Sequence, residues 1–109
     1  MIRDTISKIE ARLKDSSACS DEVRAELLQL LGELKREISS VDEEQARSIA
    51  GHTEHLTVQA TAVESERNPE LLKRSLQELS ASVDGFEKSH PGLVQVVNRI
   101  ATTLSNIGI

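Results

Sequence analysis

The segment Gly51-His52-Thr53-Glu54-His55 holds the side chains best suited to chemistry in this chain. On a helix, residues three apart share a face, and imidazoles so placed can ligate a transition metal. Glu54 stands between them in sequence and could add a carboxylate oxygen. The carboxylate-bridged helical bundles, however, use Glu-x-x-His pairs. Here Ile49 lies three before His52, and His52 lies three before His55. Both histidines flank the neighbouring apolar stripe rather than occupy it. Boundary histidines are the simpler reading, because a metal site needs a full ligand set with supporting partners. No metal is therefore predicted, and His52, His55 and Glu54 are the weak candidates for one. A metal- or ligand-binding bundle built on His52 and His55 stands as the alternative function.

Other catalytic constellations are missing from the sequence. No serine lies in a G-x-S-x-G elbow, nothing beside Cys19 looks like a base, and there is no glycine-rich phosphate loop. The reading is a non-enzyme without a cofactor. Cys19 is the single cysteine, which rules out an internal disulfide and fits an intracellular setting.

With 109 residues the chain has the length of one domain, taken as 1–109, and folding should bury roughly 65% of the unfolded surface. That core must be aliphatic, since Phe86 is the lone aromatic residue. Scarce aromatics argue against a cofactor pocket and against base-stacking platforms. The formal charge is -5, with Lys and Arg scattered rather than clustered. Nucleic-acid backbones and anionic membranes are bound by concentrated positive charge, so neither is an expected partner. The N-terminal MIRDTISKIE carries charges where a secretory signal needs an apolar run. The least charged stretch, Ser89 to Ile109, keeps Arg99 and many hydroxyls and amides, unlike a membrane span. A cytoplasmic protein is expected.

Five apolar rows at steps of three and four must position whatever function there is: Ile2 to Leu13, Val23 to Val41, Ala46 to Val63, Leu72 to Phe86 and Leu93 to Ile107. No stretch alternates with period two. The fold predicted is all-α, an antiparallel helical bundle of four to five helices with coiled-coil-like seams and one long central helix. Ser20 is a suitable N-cap, followed by Asp21 and Glu22 at the positive end of the dipole. Asn68 with Pro69 marks another start, and His90 with Pro91 a third. A neutral His90 imidazole could accept one of the orphan N–H groups there. Ser40 and Glu43 have capping-box spacing and suggest a break between the second and third helices. At the far end, Gly108 reads as a left-handed residue after the last helix, letting Ile109 pack back on Leu104.

The third helix is expected from Asp42 to Arg67, about 39 Å long. Its seam is rich in small residues, Gly51 weakens it, and it could overhang the bundle or be loosely ordered in the middle. Ile49, Thr53, Leu56, Ala60 and Val63 are accordingly candidates for contact with another chain. In the last helix Leu93, Val97, Ile100 and Leu104 form a wide apolar arc, opposed by Gln95, Asn98, Thr102 and Asn106 with Arg99 as the one charge. Interfaces are depleted of charge, so Gln95, Asn98 and Thr102 are interface candidates too. The functional reading is a self-associating structural or adaptor module, most simply a homodimer, with an unidentified protein partner as a further possibility.

ARSIAG (Ala46 to Gly51), NPELL (Asn68 to Leu72) and FEKSHPGLVQVVNRIATTLSNIGI (Phe86 to Ile109) resemble a family of small bacterial proteins of unknown function. The likeness extends to LLQLLGELKREI (Leu27 to Ile38), and the C-terminal block is its most specific part. The family pattern has Phe after Gly51 where this chain has His52, which weakens the metal reading. The resemblance implies a bacterial cytosolic helical protein and brings no activity, substrate or cofactor.

Overall fold

The computed structural model describes residues 2–16, 19–62, 66 and 68–108. They form five α-helices: α1 (Ile2–Asp15), α2 (Asp21–Ile38), α3 (Glu43–Ala60), α4 (Pro69–Ser82) and α5 (Pro91–Gly108). A 3-10 turn, Asp84–Phe86, links α4 to α5, and no strand occurs among the described residues. Around the bundle α1 packs on α2, α2 on α5, α5 on α4, α4 on α3, and α3 back on α1; α3 also meets α5 across the middle.

The helix starts follow local chemistry. Ser20 Oγ accepts the Val23 N–H at 3.3 Å, and the Asn68 side-chain oxygen accepts from Glu70 and Leu71 at 3.0 and 3.3 Å. Each thereby satisfies donors that the first turn leaves unpaired. His90 stands at the N-cap position of α5, where its carbonyl accepts from Leu93 and Val94. Its imidazole does something other than capping: Nδ1 lies 3.0 Å from Ser89 Oγ, and the ring meets Phe86 edge-on at 5.5 Å. The aromatic contact holds the ring back over the preceding turn and away from the α5 amides.

Between α2 and α3 the chain breaks, but not through a capping box. Ser40 Oγ donates back to the Glu37 carbonyl at 3.1 Å, while Asp42 occupies the N-cap of α3 without a side-chain cap bond. Buried Val41 plugs the corner, its N–H bonded to Ile38 O.

The long third helix expected over 42–67 is not formed. α3 has 18 residues, the same as α2 and α5, and stops at Ala60. Thr61 leaves helical dihedrals (φ -101, ψ 8) while its N–H and hydroxyl both bond Thr57 O, at 2.9 and 2.7 Å. Its Oγ1 also accepts from Arg12 Nε of α1 at 2.7 Å. The Thr61 hydroxyl thus donates to the helix and accepts from α1 at the residue where helical dihedrals end. At about 27 Å, α3 lies within the 39 Å longest extent of the molecule, and it runs through Gly51 without interruption.

At the other end α5 is helical through Gly108, and no described glycine has positive φ. The left-handed stop expected at Gly108 is therefore absent at that residue. Ile109 and its packing on Leu104 fall outside the described residues, as does Val63.

The core is aliphatic throughout. Its largest fully buried side chains are Ile6, Ile9 and Leu13 from α1, Leu27, Leu31 and Leu34 from α2, Ile49 and Leu56 from α3, Leu79 from α4, and Leu93, Ile100 and Leu104 from α5. Each stabilises the fold by about 1.5–3 kcal/mol relative to exposure. Phe86 only borders this cluster. On α3, buried Ala46, Ala50, Thr53, Thr57 and Ala60 let α1, α4 and α5 come close. Thr53 and Thr57 are 0% exposed, and their hydroxyls donate to Ile49 O and Thr53 O, both at 2.8 Å.

Two polar ties fasten α1 to α2. Lys35 Nζ meets Glu10 Oε1 at 2.9 Å. Arg24, from the first turn of α2, turns its guanidinium onto the α1–α2 connection, donating to Leu13 O at 2.9 Å and Ser16 O at 2.6 Å. Leu13 O lies in the last turn of α1, where it also accepts the Ser16 N–H at 3.3 Å, and Ser16 follows the helix. Nothing in the sequence marks Arg24 for this role, because its partners lie 11 and 8 residues upstream.

Candidate functional site

The histidine segment lies in the middle of α3. His52 is half-buried, and its Nδ1 is 3.6 Å from Glu78 Oε2 on α4. At that separation the pair is an electrostatic contact rather than a hydrogen bond. His55 is exposed and lines a groove between α3 and α4 together with Val58, Gln59, Leu71, Arg74, Ser75 and Glu78. Neither His52 nor Glu54 is among the residues lining that groove. Among the described residues no three His, Cys, Asp or Glu side chains gather closely enough to hold a metal ion. Glu78, the acid that does approach His52, lies 26 positions downstream, and only the packing of α4 on α3 brings the two together.

The candidates for contact with another chain divide sharply. Ile49, Thr53, Leu56 and Ala60 are all at most 1% exposed, covered by this chain's own helices. They are core residues, which corrects their assignment to an interface: small side chains on α3 serve close packing within the bundle. Gln95, Asn98 and Thr102 are exposed on the outer side of α5.

Those three residues belong to a groove that runs the length of α5 against α2. One end is a cleft lined by Glu33, Arg36, Glu37, Gly92, Gln95, Val96 and Arg99. The middle is lined by Glu26, Gln95, Asn98, Arg99, Thr102 and Thr103. The other end brings Cys19, Ser20 and Val23 beside Thr102, Thr103, Asn106 and Ile107. Successive clefts share residues, first Gln95 and Arg99, then Glu26, Thr102 and Thr103, and the end clefts add the apolar Val96, Val23 and Ile107. Cys19 is buried at the far end of the groove.

Position 92 is tight for any side chain. A Cβ there would lie 3.0–3.1 Å from the Glu37 carboxylate, which leans over the first turn of α5. A negative charge there is favourable, since it faces the positive end of the helix dipole. The last turn of α2 is thus held at the start of α5.

The groove along α5 offers amides, hydroxyls and a few charges. No helix of the described residues is long and apolar enough to cross a membrane.

Residues 57–109, the end of α3 with α4 and α5, match the model of a domain of unknown function (DUF4404). The matched part is similar to that domain and contains the whole α5 wall of the groove. No curated protein and no solved structure shows a match to the chain.

Proposed function

We propose that this chain is a non-enzymatic structural or adaptor module of the bacterial cytoplasm that works as a homodimer of antiparallel helical bundles. The observation that carries the reading is the outer row of α5. Gln95, Asn98, Thr102 and Asn106 are exposed and uncharged. The exposed faces of α3 and α4 instead carry Glu43, Glu44, Arg47, Lys73, Arg74 and Glu78. Amides and hydroxyls lose less on leaving water than ions do, and charge depletion marks the centres of protein–protein interfaces. The cellular setting rests on the resemblance of the C-terminal block and on the single cysteine. Size-exclusion chromatography with light scattering at tens of micromolar tests the dimer. A mass of twice the 12.0 kDa chain is expected, and a 12.0 kDa particle at every concentration would overturn it.

A further inference from the structure

The corner between α2 and α3 divides the chain into two groups of packed helices. α1 and α2 pack on each other, and α3, α4 and α5 pack as a trio; α1 then lies on α3 and α2 on α5. α2 and α3 follow one another in the chain, yet they are not packed together. The α1–α2 pair is therefore tethered to the trio only through Ser39-Ser40-Val41-Asp42.

That corner is weakly enforced. It holds neither glycine nor proline, and none of its residues has positive φ. Ser39 still has helical dihedrals (φ -66, ψ -22), and only at Asp42 is the backbone extended (φ -50, ψ 138). The hydrogen bonds of the corner serve α2. The Ser39 and Ser40 hydroxyls donate to Arg36 O and Glu37 O at 2.7 and 3.1 Å, and Val41 N–H donates to Ile38 O at 3.1 Å. Asp42 makes no side-chain cap bond, so the amides of Glu43 and Glu44 open α3 without a cap from it. In a helix running straight through, those amides would pair with the carbonyls of Ser39 and Ser40.

Resting on the self-association reading, we propose that two copies are joined by exchanging their α1–α2 pairs. The corner straightens, α2 and α3 run as one helix from Asp21 to Ala60, about 60 Å long, and the α1–α2 pair of each copy packs on α3 and α5 of the other. What covers the α3–α5 face is already visible in the single chain: Ile6, Ile9 and Leu13 of α1 with Leu27, Leu31 and Leu34 of α2. Exchange reuses that core and needs no second complementary surface. Val41, buried in the closed corner, stays on the apolar face of α2 three residues after Ile38. Each α2–α5 groove is then walled by α5 of one copy and α2 of the other. The Arg12–Thr61 bond runs between chains, whereas the Lys35–Glu10 tie and the Arg24 clasp stay within one.

Glu43→Pro tests the straightening in the full chain. Glu43 is the first residue of α3, where proline is favoured, and Asp42 before it already has the extended ψ that a residue preceding proline adopts. The closed corner accepts the change and loses only an exposed ion pair with Arg47. Inside a continuous helix the same proline removes a hydrogen bond and clashes with the carbonyl four residues earlier. Sedimentation equilibrium after refolding from urea would compare the wild type, Glu43→Pro and Ser40→Ala with Asp42→Ala, with circular dichroism confirming that each is folded. Proline should raise the dimer dissociation constant at least about a thousandfold, because both corners of the dimer carry its cost. The two alanines favour a helical corner and should lower it at least about threefold. A second measurement reads the exchange directly. In a Cys19→Ala background, Arg12→Cys with Thr61→Cys is bridged by a short bis-maleimide, and the fully reacted protein is run on a denaturing gel. Exchange yields bridged products of two chains, while closed copies yield single chains. A monomeric wild type would overturn the self-association reading itself. If the wild type dimerises but its bridges stay within single chains, or Glu43→Pro dimerises equally well, self-association stands and the exchange is overturned.

Discussion

Replacing Arg24 by methionine keeps an apolar stem of similar length and removes the guanidinium that closes the α1–α2 connection. Two donors are lost, Nε to Leu13 O at 2.9 Å and Nη2 to Ser16 O at 2.6 Å. The contact from Nη2 to Cys19 O, at 3.4 Å, is too long to count. Asp21 Oδ1, at 2.7 Å from Nη1, belongs to a fully exposed carboxylate and is left out of the sum. A hydrogen bond from a charged donor contributes about 1.5–3 kcal/mol when buried. The Arg24 side chain is 23% exposed, so water can replace part of what is lost. Halving the range leaves about 1.5–3 kcal/mol for the pair of bonds. At an unfolding entropy of about 2.1 cal/mol/K per residue, a chain of this length loses about 4 °C per kcal/mol, or about 7–13 °C in all. Arg24→Lys should lose about half as much, because one ammonium cannot reach both carbonyls in the fork geometry of a guanidinium. Arg47 provides the control: it meets Glu43 at 3.2 Å with both side chains about 70% exposed, and Arg47→Met should shift the melt by no more than about 2 °C. Differential scanning calorimetry on the four proteins decides the matter. An Arg24→Met variant melting within 2 °C of the wild type, like the control, would refute the assignment of Arg24 as the clasp between these helices.

Gly32 and Gly51 sit inside α2 and α3 with nothing within 4 Å of an added Cβ, so each change to Ala should stabilise the protein by about 0.5–1 kcal/mol in urea titrations. Gly92→Ala should gain less than either, because the new methyl must displace the Glu37 carboxylate. Thr57→Val removes a buried hydroxyl whose bond stays within its own helix, leaving Thr53 O its ordinary backbone donor. Its stability should remain within about 1 kcal/mol of the wild type by the same titration. His52→Ala with His55→Ala should leave the melting temperature within about 2 °C, consistent with a partly exposed contact to Glu78, and added zinc should shift neither protein.

Much of the scaffold is legible in the sequence because helix grammar is local. Ser20, Asn68 and Pro69 act on amides within three residues of themselves, and short-range chemistry of that kind leaves a readable signature. The end of α3 is not legible, because the apolar spacing from Ala46 continues to Val63 and periodicity alone does not register a helix stop. At the stop, Thr61 is bonded by Arg12, 49 residues away in sequence, a contact that no local pattern records. The same limit explains Ile49, Thr53, Leu56 and Ala60. A stripe shows that a face is covered but not whether the cover belongs to the same chain. Ser40 shows a local rule losing to a local competitor: the spacing to Glu43 suits a cap, yet its hydroxyl prefers the Glu37 carbonyl of the helix it has just left. For the candidate groove, the α5 wall can be picked out from its lack of charge. The α2 wall cannot, because Glu26, Glu33 and Arg36 look like any solvated helix surface until α2 is laid beside α5.

The hydroxyls of Thr53 and Thr57 are turned back onto the carbonyls of their own helix. Hydrogen bonding by these two side chains is thereby completed inside α3, and what they have left to offer α1, α4 and α5 is hydrocarbon. Against its neighbours α3 behaves at these positions like a greased shaft, held by shape with no directional latch to fix its rotation. Orientation is set instead at the rim, by the Arg24 clasp, the Lys35–Glu10 tie, the Arg12–Thr61 bond and the Glu37 carboxylate over Gly92. Sequence drift should divide along the same line. Interior positions of α3 can exchange one small methyl-bearing residue for another, while the few polar residues at the helix ends carry the information that makes these five helices assemble in one arrangement.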